Sequence, residues 1–540
     1  MKKTIDLRRY LVSFNSHELP HLFCGVLVIG GGLAGLRSAI EAAKHTDVLL
    51  VTKDRLGESN TEHAQGGIAV VLSPGDQFAE HIKDTLDAGQ GLCDPEVVKG
   101  VVEEGPVRIK EMIEWGAKFD MENGSLAFTQ EGGHGRPRII HAQGDATGLE
   151  VETCVVRKVL ATPAIKILEH TFVVDLLTAD GACLGAVIAD ASRGRTMLWA
   201  KEVVLASGGC GRVYRETTNP EIATGDGIAL AYRAGAEIQD IEFLQFHPTT
   251  LYIAGASRAL ITEAARGEGG ILVNAKGERF MPRYHKRVEL APRDVVSRSI
   301  LREMQRTNTT CVYLDLTHIP KDRLFTRFPG IRDLCASFDI DITVDKIPVR
   351  PSAHYMVGGV KVSRDGSTNI ANLFTCGETS ATGLHGANRL GSNSLLEAVV
   401  YGQRSGVEAG RRAAKKKEPI PKRINSVLNS PKAVALDLED VRNSLRSLMW
   451  RNVGIERNAT MLKEAEKMID FWCSYVMDKE FNNIKAWELQ NMLTVARLIT
   501  TAADMRQESR GVHYRSDFPH LDNKSWQRHI ILRKDAKEGV

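Results

Sequence analysis

The sequence predicts an α/β protein: a domain built on βαβ units, interrupted by an α+β segment and followed by a helical bundle. Three observations carry this. Near the start, residues 26–29 read as a short buried strand, 30–32 as a glycine turn and 33 onward as a helix opening on small residues. Across residues 241–350, conspicuous polar clusters break the strand-and-helix rhythm. Beyond a basic, proline-bearing stretch at 415–423, apolar residues fall at helical spacing: Val441, Leu445 and Leu448 share a face, as do Leu489, Met492, Leu493 and Ala496. The expected divisions are 1–240, 241–352, 353–422 and 423–540.

A chain of 540 residues has material for two to four domains and a large core. A net charge of +3 gives no reason to expect nucleic acid or membrane as the main partner. Nine cysteines are scattered with no C-x-x-C pair, which argues for reduced thiols rather than a disulfide framework or zinc site; no metal is expected. The charged N-terminus lacks the apolar core of a signal peptide, and no run approaches the ~18 apolar residues of a membrane span. A soluble, cytoplasmic protein is expected.

Gly30, Gly32 and Gly35 fit the G-x-G-x-x-G spacing of a dinucleotide site: a tight turn, a close approach to pyrophosphate, and a helix packed on its strand. A second strand at 47–52 follows at βαβ distance, but it ends Val51-Thr52-Lys53-Asp54, with no acid cleanly at the usual ribose position. The small and amide residues of 59–69 suit a flat polar ring, or equally a surface loop. Residues 95–116 predict a helix from Pro95 to Gly116. Residues 129–136 form a glycine-rich loop dense in ionisable groups, and 141–148 lead into another helix. Residues 165–208 alternate, with turns at Asp180-Gly181 and Arg193-Gly194: a hairpin-rich β region. It ends in a buried strand running into glycines at 203–209, a second place for backbone to meet a cofactor. Thr224 to Gly227 opens a helix over 228–234. After the inserted segment the first fold resumes with 354–360, a strand at 372–378, a polar loop at 383–394 and a helix from Leu395. The 415–423 linker reads as a solvated tether.

These residues together resemble the succinate dehydrogenase and fumarate reductase flavoprotein family. Single motifs are generic; their ordered set is specific: 59–69, Glu131 to His134, Phe246-His247-Pro248-Thr249, 262–270, 290–298, His354-Tyr355, 383–397 and 508–515. The resemblance runs from Val26 to Pro519. It implies a Rossmann-like FAD-binding domain interrupted by an α+β capping domain, then a C-terminal helical domain. Within the family the chain most resembles the branch that oxidises L-aspartate. Respiratory members carry a flavin-linking histidine where Asn60 stands, so the resemblance implies non-covalent FAD; His63 is three residues off that position. Glu131 matches an acid that pairs with a substrate ammonium group, for which succinate or fumarate offers no counterpart; unpaired, a buried carboxylate is costly.

The resemblance further implies that His247 and Thr262 hold one substrate carboxylate and His354 and Arg389 the other, the guanidinium in a bidentate contact. Arg293 matches the family's proton donor or acceptor, with Glu263 and Arg266 as its relay. A guanidinium has a pKa above ~12 and rarely gives up its proton, so Arg293 acting only through its charge stays open. For FAD, the pyrophosphate is expected at Gly30, Gly32, Leu33, Ala34 and Gly35. Ser59, Asn60, Thr61, Gln65, Gly66 and Gly67 are expected along the phosphates and flavin, and Glu378 near the ribityl chain. Asn393, Ser394 and Leu395 would open a helix whose positive end faces the flavin. Lys53, Ala206, Gly208, Asp226 and Gly377 complete the expected contacts. The implied activity is oxidation of L-aspartate to iminoaspartate, with oxygen or fumarate as acceptor and quinolinate synthase as a transient partner in NAD biosynthesis. A soluble fumarate reductase or succinate-oxidising flavoprotein is the alternative enzyme. A flavoprotein subunit of a larger complex would need a separate iron–sulfur partner.

Overall fold

The computed structural model describes residues 8–253, 259–428 and 436–534. The N-terminal expectation therefore falls partly outside the described residues, as does part of the 423–540 segment.

The main sheet has seven strands. In order they are Ile165–Leu168, Val48–Val51, His21–Ile29, Gly194–Leu205, Ala182–Asp190 and Phe172–Ala179, with Leu373–Thr375 also paired to Gly194–Leu205. The first four run parallel, and the two hairpin strands are antiparallel. Val26 pairs with Val48 and Ile29 with Val51. The parallel strands are covered on both faces, which is why 26–29 and 48–51 are unbroken apolar runs, all buried. At the carboxyl ends of these strands Ile29, Val51 and Leu205 finish side by side, and the chain turns through Gly30 and Ala206.

Helix Leu33–Ala42 is buried throughout because helix Asn393–Ala414 covers it. The contact is close backbone packing. A methyl at Gly402 would lie 2.6 Å from Ala34 O, and one at Gly406 would lie 2.3 Å from Ser38 O. With Gly410 these glycines recur every four residues and form one flat face.

The inserted segment builds a second, antiparallel sheet ordered Leu244–Leu251, Ile347–Met356, Val312–Asp315 and Ile271–Val273, backed by helix Arg293–Thr307. The expected division at 352/353 falls inside strand Ile347–Met356, which stays paired with Leu244–Leu251 up to Met356. The strand carries His354 and Tyr355 on the inserted sheet because its ladder is not complete until Met356 meets Leu244. Both crossings between the sheets meet in a small sheet of Ser380–Ala381, Gly359–Lys361, Ile238–Gln239 and Ile531–Leu532.

Three long helices, Leu438–Asn452, Ala459–Val476 and Ile484–Met505, form the C-terminal bundle, and the last packs on helix Asp226–Ala234. The basic linker is less free than its composition suggests: Lys416 Nζ is held by Glu202 and Asn372, and Lys201 pairs with Glu418. The nine cysteines are all free, seven of them buried and two partly so. Burial pushes every one of these thiols above its ordinary value, to about 12 at Cys93, Cys335, Cys376 and Cys473. Among the described residues no helix is long and apolar enough to cross a membrane.

Candidate active site

A cavity of about 940 Å³ opens where the carboxyl ends of the main sheet face the inserted sheet. Its first wall is the glycine turn. Gly30 has φ +120°, and a methyl there would lie 2.1 Å from Ala206 O, so this position accepts only glycine. Gly35 abuts Gly30 O in the same way, at 2.1 Å, and serves helix–strand packing instead of lining the cavity. Gly32 starts the helix with an ordinary backbone and no side chain of its own to cap it; the Leu33 N–H reaches Thr61 Oγ1 at 3.4 Å, and the N–H groups that follow are placed to meet an anion.

Gly30, Gly32, Leu33, Ala34, Ser59, Asn60, Thr61, Gln65, Gly66, Gly67, Ala206, Gly208, Gly377, Glu378, Ser394 and Leu395 all line the cavity. Burial lifts Glu378 to about 7, against the pull of the Met356 N–H and Asn60 amide that it accepts from. Asn393 departs from expectation. Its side chain accepts from His81 and donates to Thr85, so it anchors the helix start and lies off the cavity wall. Lys53 and Asp226 line the cavity but are engaged with each other at 2.7 Å, and Lys53 Nζ also reaches Glu488 at 2.7 Å and Thr224 at 2.8 Å.

At the far end, His247, Thr262, Glu263, Arg293, His354 and Arg389 converge on the cavity, supplied by five different segments. The His247 and His354 rings meet edge to face at 5.1 Å. Burial keeps both rings well below the ordinary histidine range, aided by Arg293 and Arg389 respectively. His247 Nδ1 is held by the Thr249 backbone, while its buried Nε2 has no partner among the described residues. Thr218 Oγ1 lies 2.9 Å from His354 Nδ1.

Glu131 and Arg266 lie just behind this wall. Arg293 Nε donates to Glu263 Oε2 at 2.5 Å, and Arg266 pairs with Glu263 Oε1 at 3.2 Å. Burial alone would raise the Glu263 carboxyl, but Arg293 and Arg266 outweigh it and hold it below the ordinary value. Glu131 goes the other way: burial and then Glu263 raise it, against weaker pulls from Arg293, Ser392 and Arg389. Burial and the Arg293 charge bring the Arg389 guanidinium down to about 10.

Three residues absent from the expected set shape this end. The Gln245 amide oxygen accepts from both Arg293 and Arg389 at 3.2 Å, and its nitrogen is spent on Asn388 and the Arg389 carbonyl. Arg389 also lies 4.4 Å from the Tyr355 ring centroid and donates to Ser394. Ser392 Oγ donates to Glu131 Oε2 at 2.8 Å. Gln245 stands two residues before His247, and that spacing along one strand was the available signal.

The FAD binding domain family matches residues 25–395, and the fumarate reductase flavoprotein C-terminal family matches 442–540. The chain belongs to the succinate dehydrogenase and fumarate reductase flavoprotein family. Relatives in that family include L-aspartate oxidase 2-b, chloroplastic, of Nicotiana tabacum, 43% identical over 92% of this chain and 81% of the relative. L-aspartate oxidase of Pseudomonas aeruginosa is 42% identical over 92% and 96%. Among solved flavoproteins, FrdA of E. coli quinol fumarate reductase superposes with a TM-score of 0.88 at 32% identity, covering 95% of this chain and 94% of that one. The cavity suits the FAD of this family. It offers bare glycine backbone, an uncapped helix start, and buried polar atoms without a partner among the described residues at Gln65 Oε1, Ser207 Oγ and Asn219 Oδ1.

Proposed function

We propose that this chain is an FAD-dependent L-aspartate oxidase that converts L-aspartate to iminoaspartate. One observation carries the choice of substrate. Glu131, just behind the cavity wall, is a buried carboxyl with one oxygen fixed by Ser392 and the other, Oε1, without a hydrogen-bond partner among the described residues and 3.9 Å from His141 Nε2, beside a site rich in guanidinium groups. A plain dicarboxylate would leave that carboxylate uncompensated, whereas an amino dicarboxylate brings a cation to it. The relatives named above as L-aspartate oxidases support the same reading.

His247 and Thr262 would take one substrate carboxylate through the free Nε2 and the hydroxyl. Arg389, with His354, would take the other. Both histidines are neutral at physiological pH and act as donors, so Arg389 and Arg293 supply the charge that two carboxylates need. Gln245 spaces the two arginines, and each anchor is braced by protein contacts before substrate arrives, so binding is converted into orientation. Glu131 would receive the ammonium and accept its proton. Arg293, clamped by Glu263 and Gln245, would stay charged beside the reacting carbon. Bound in the cavity, FAD supplies a two-electron acceptor for the hydride leaving C2. Asn60 offers no nucleophile for a flavin linkage and spends its amide on Glu378, which supports non-covalent binding.

Oxygen or fumarate would take the electrons onward, and quinolinate synthase would consume the iminoaspartate in NAD biosynthesis. The test is anaerobic mixing of the FAD-loaded protein with L-aspartate and, separately, with succinate. Loss of the oxidised-flavin absorbance with L-aspartate alone is expected. Bleaching by succinate and not by L-aspartate would move the chain to the dicarboxylate branch.

A further inference from the structure

The four residues of Glu131-Gly132-Gly133-His134 each meet a constraint at the site. A methyl at Gly132 would lie 2.4 Å from Glu263 Oε1. Gly133 has φ +90°, with Leu390 Cδ1 2.5 Å from where a methyl would stand. Glu131 accepts from Ser392, and His134 reaches the neighbouring residue: its Nε2 lies 3.0 Å from Gly391 O. We propose that His134 is a positioning residue that holds Glu131 against the substrate's ammonium group and thereby sets the preference for amino dicarboxylates over plain dicarboxylates. This rests on the L-aspartate oxidation proposed above.

The tautomer of His134 is dictated from behind. Arg138 is fully buried; its Nε and Nη2 both reach Asp76 at 2.9 Å, and its Nη1 reaches Asp84 at 2.5 Å and His134 Nδ1 at 3.3 Å. A guanidinium only donates, so Nδ1 must accept and the ring proton lies on Nε2, where it donates to Gly391 O. Asp84 also accepts from the Gly135 N–H, so the same carboxylate grips the loop and its arginine. On the loop itself the His134 N–H donates to Glu131 O, and Gln130 Nε2 donates to His134 O. The links close into a ring: Glu131 backbone, His134, Gly391, Ser392, Glu131 carboxyl.

Gly391 is the point on which the charges converge. Glu131 Oε2, Glu263 Oε2 and Arg293 Nη2 all lie 3.2–3.3 Å from where a methyl on it would stand. If His134 releases Gly391, the Glu131 carboxylate gains room to collapse onto Arg293 and is lost to the ammonium. The groups that contact a plain dicarboxylate, His247, Thr262, His354 and Arg389, are not held by this ring.

The test compares three replacements in the FAD-loaded protein. His134→Leu fills the space without a donor. His134→Asn keeps a group near Nδ1 for Arg138 but falls short of Gly391, and His134→Gln places a donor near Nε2. Expected for Leu and Asn is at least a tenfold fall in kcat/KM for L-aspartate, with FAD content kept and succinate binding within threefold of the unchanged protein, read from flavin absorbance under anaerobic conditions. His134→Gln should recover most of the loss. If the ring only fills space, Leu will outperform Gln, or L-aspartate and succinate binding will fall together; either result overturns the proposal. Should the Leu variant not fold, Asn against Gln carries the same comparison. Failure of the underlying function reads differently, because the unchanged protein itself would not be reduced by L-aspartate.

Discussion

Glu131 and Glu263 lie in one buried site, yet their environments push them apart: two arginines hold Glu263 low, while burial and Glu263 itself raise Glu131. Such splitting lets one carboxylate remain a fixed charge and the other exchange a proton. Glu131→Gln removes the ammonium partner while keeping the Ser392 contact. Loss of a charge-assisted hydrogen bond of about 1.5–3 kcal/mol predicts a fall in kcat/KM for L-aspartate of roughly 10- to 150-fold, with succinate affinity kept or raised, since the uncompensated charge is gone. Steady-state kinetics beside succinate inhibition checks it. Glu378 gives a pH effect of known sign. Its folded value of about 7 exceeds its ordinary 4.5, so the FAD-free fold holds a proton that the unfolded chain releases between those values. That contribution, on the order of 3 kcal/mol, is complete below pH 4.5 and is lost as pH rises through 7. Glu378→Gln should flatten this part of the profile, seen as urea midpoints of the FAD-free proteins at pH 5 and pH 8. At this scale the sequence showed the charged anchors but not the groups that hold them. Gln245 and Ser392 are ordinary polar residues whose role depends on partners 48 to 261 positions away.

The end of the first strand at 26–29, the glycine turn and the helix from 33 were legible because each step has a local cause: an apolar run, a positive φ, and small residues where a helix meets a strand; the strand itself begins earlier, at His21. The turn separates two substitutions that look alike on paper. Gly30→Ala strains φ and drives a methyl to 2.1 Å from Ala206 O, so it should lower stability by several kcal/mol and yield little folded protein. Gly32→Ala has an ordinary φ and meets nothing closer than Ser59 Cβ at 3.3 Å, so it should fold but project its methyl toward the phosphate seat. Its expected mark is a normal melting curve without FAD and a weakened flavin affinity, measured by fluorescence titration. Helix Phe78–Ala88 was missed in the sequence, although it supplies His81, Asp84 and Thr85 to the back of the site. Its N-cap Gln77 makes no side-chain cap, so the usual start signal is absent. The strand that runs through the expected 352/353 division has a related cause: a strand's last paired residue depends on its partner, and nothing local at 352/353 marks it.

Across the whole molecule, the residue that replaces the usual ribose acid has become a joint between domains. Lys53 leaves the second strand of the main sheet and pairs with Asp226 on one helix and Glu488 on a bundle helix, 435 positions away. Lys53→Met leaves Asp226 without a cation, held by Thr224 and Asn491 alone, while Glu488 keeps Arg442 at 3.2 Å, so the loss should stay below the about 3–5 kcal/mol of a fully broken buried pair. Urea unfolding should show that loss, and Glu488→Gln, which leaves Asp226 paired, should show less. The family resemblance and the helical pattern beyond residue 423 foretold the bundle. Its attachment to the cavity's edge could not be foreseen, because neither Lys53 nor Glu488 announces a partner.

The nine thiols acquire a meaning once oxygen is considered as the acceptor. Each turnover would then release hydrogen peroxide inside the protein's own wall. Peroxide attacks thiolates, and here seven of the nine cysteines are buried, two are partly so, and burial pushes all nine toward the protonated form. If oxygen is the acceptor, thiols placed in this way should let the protein keep its activity in air without added reductant.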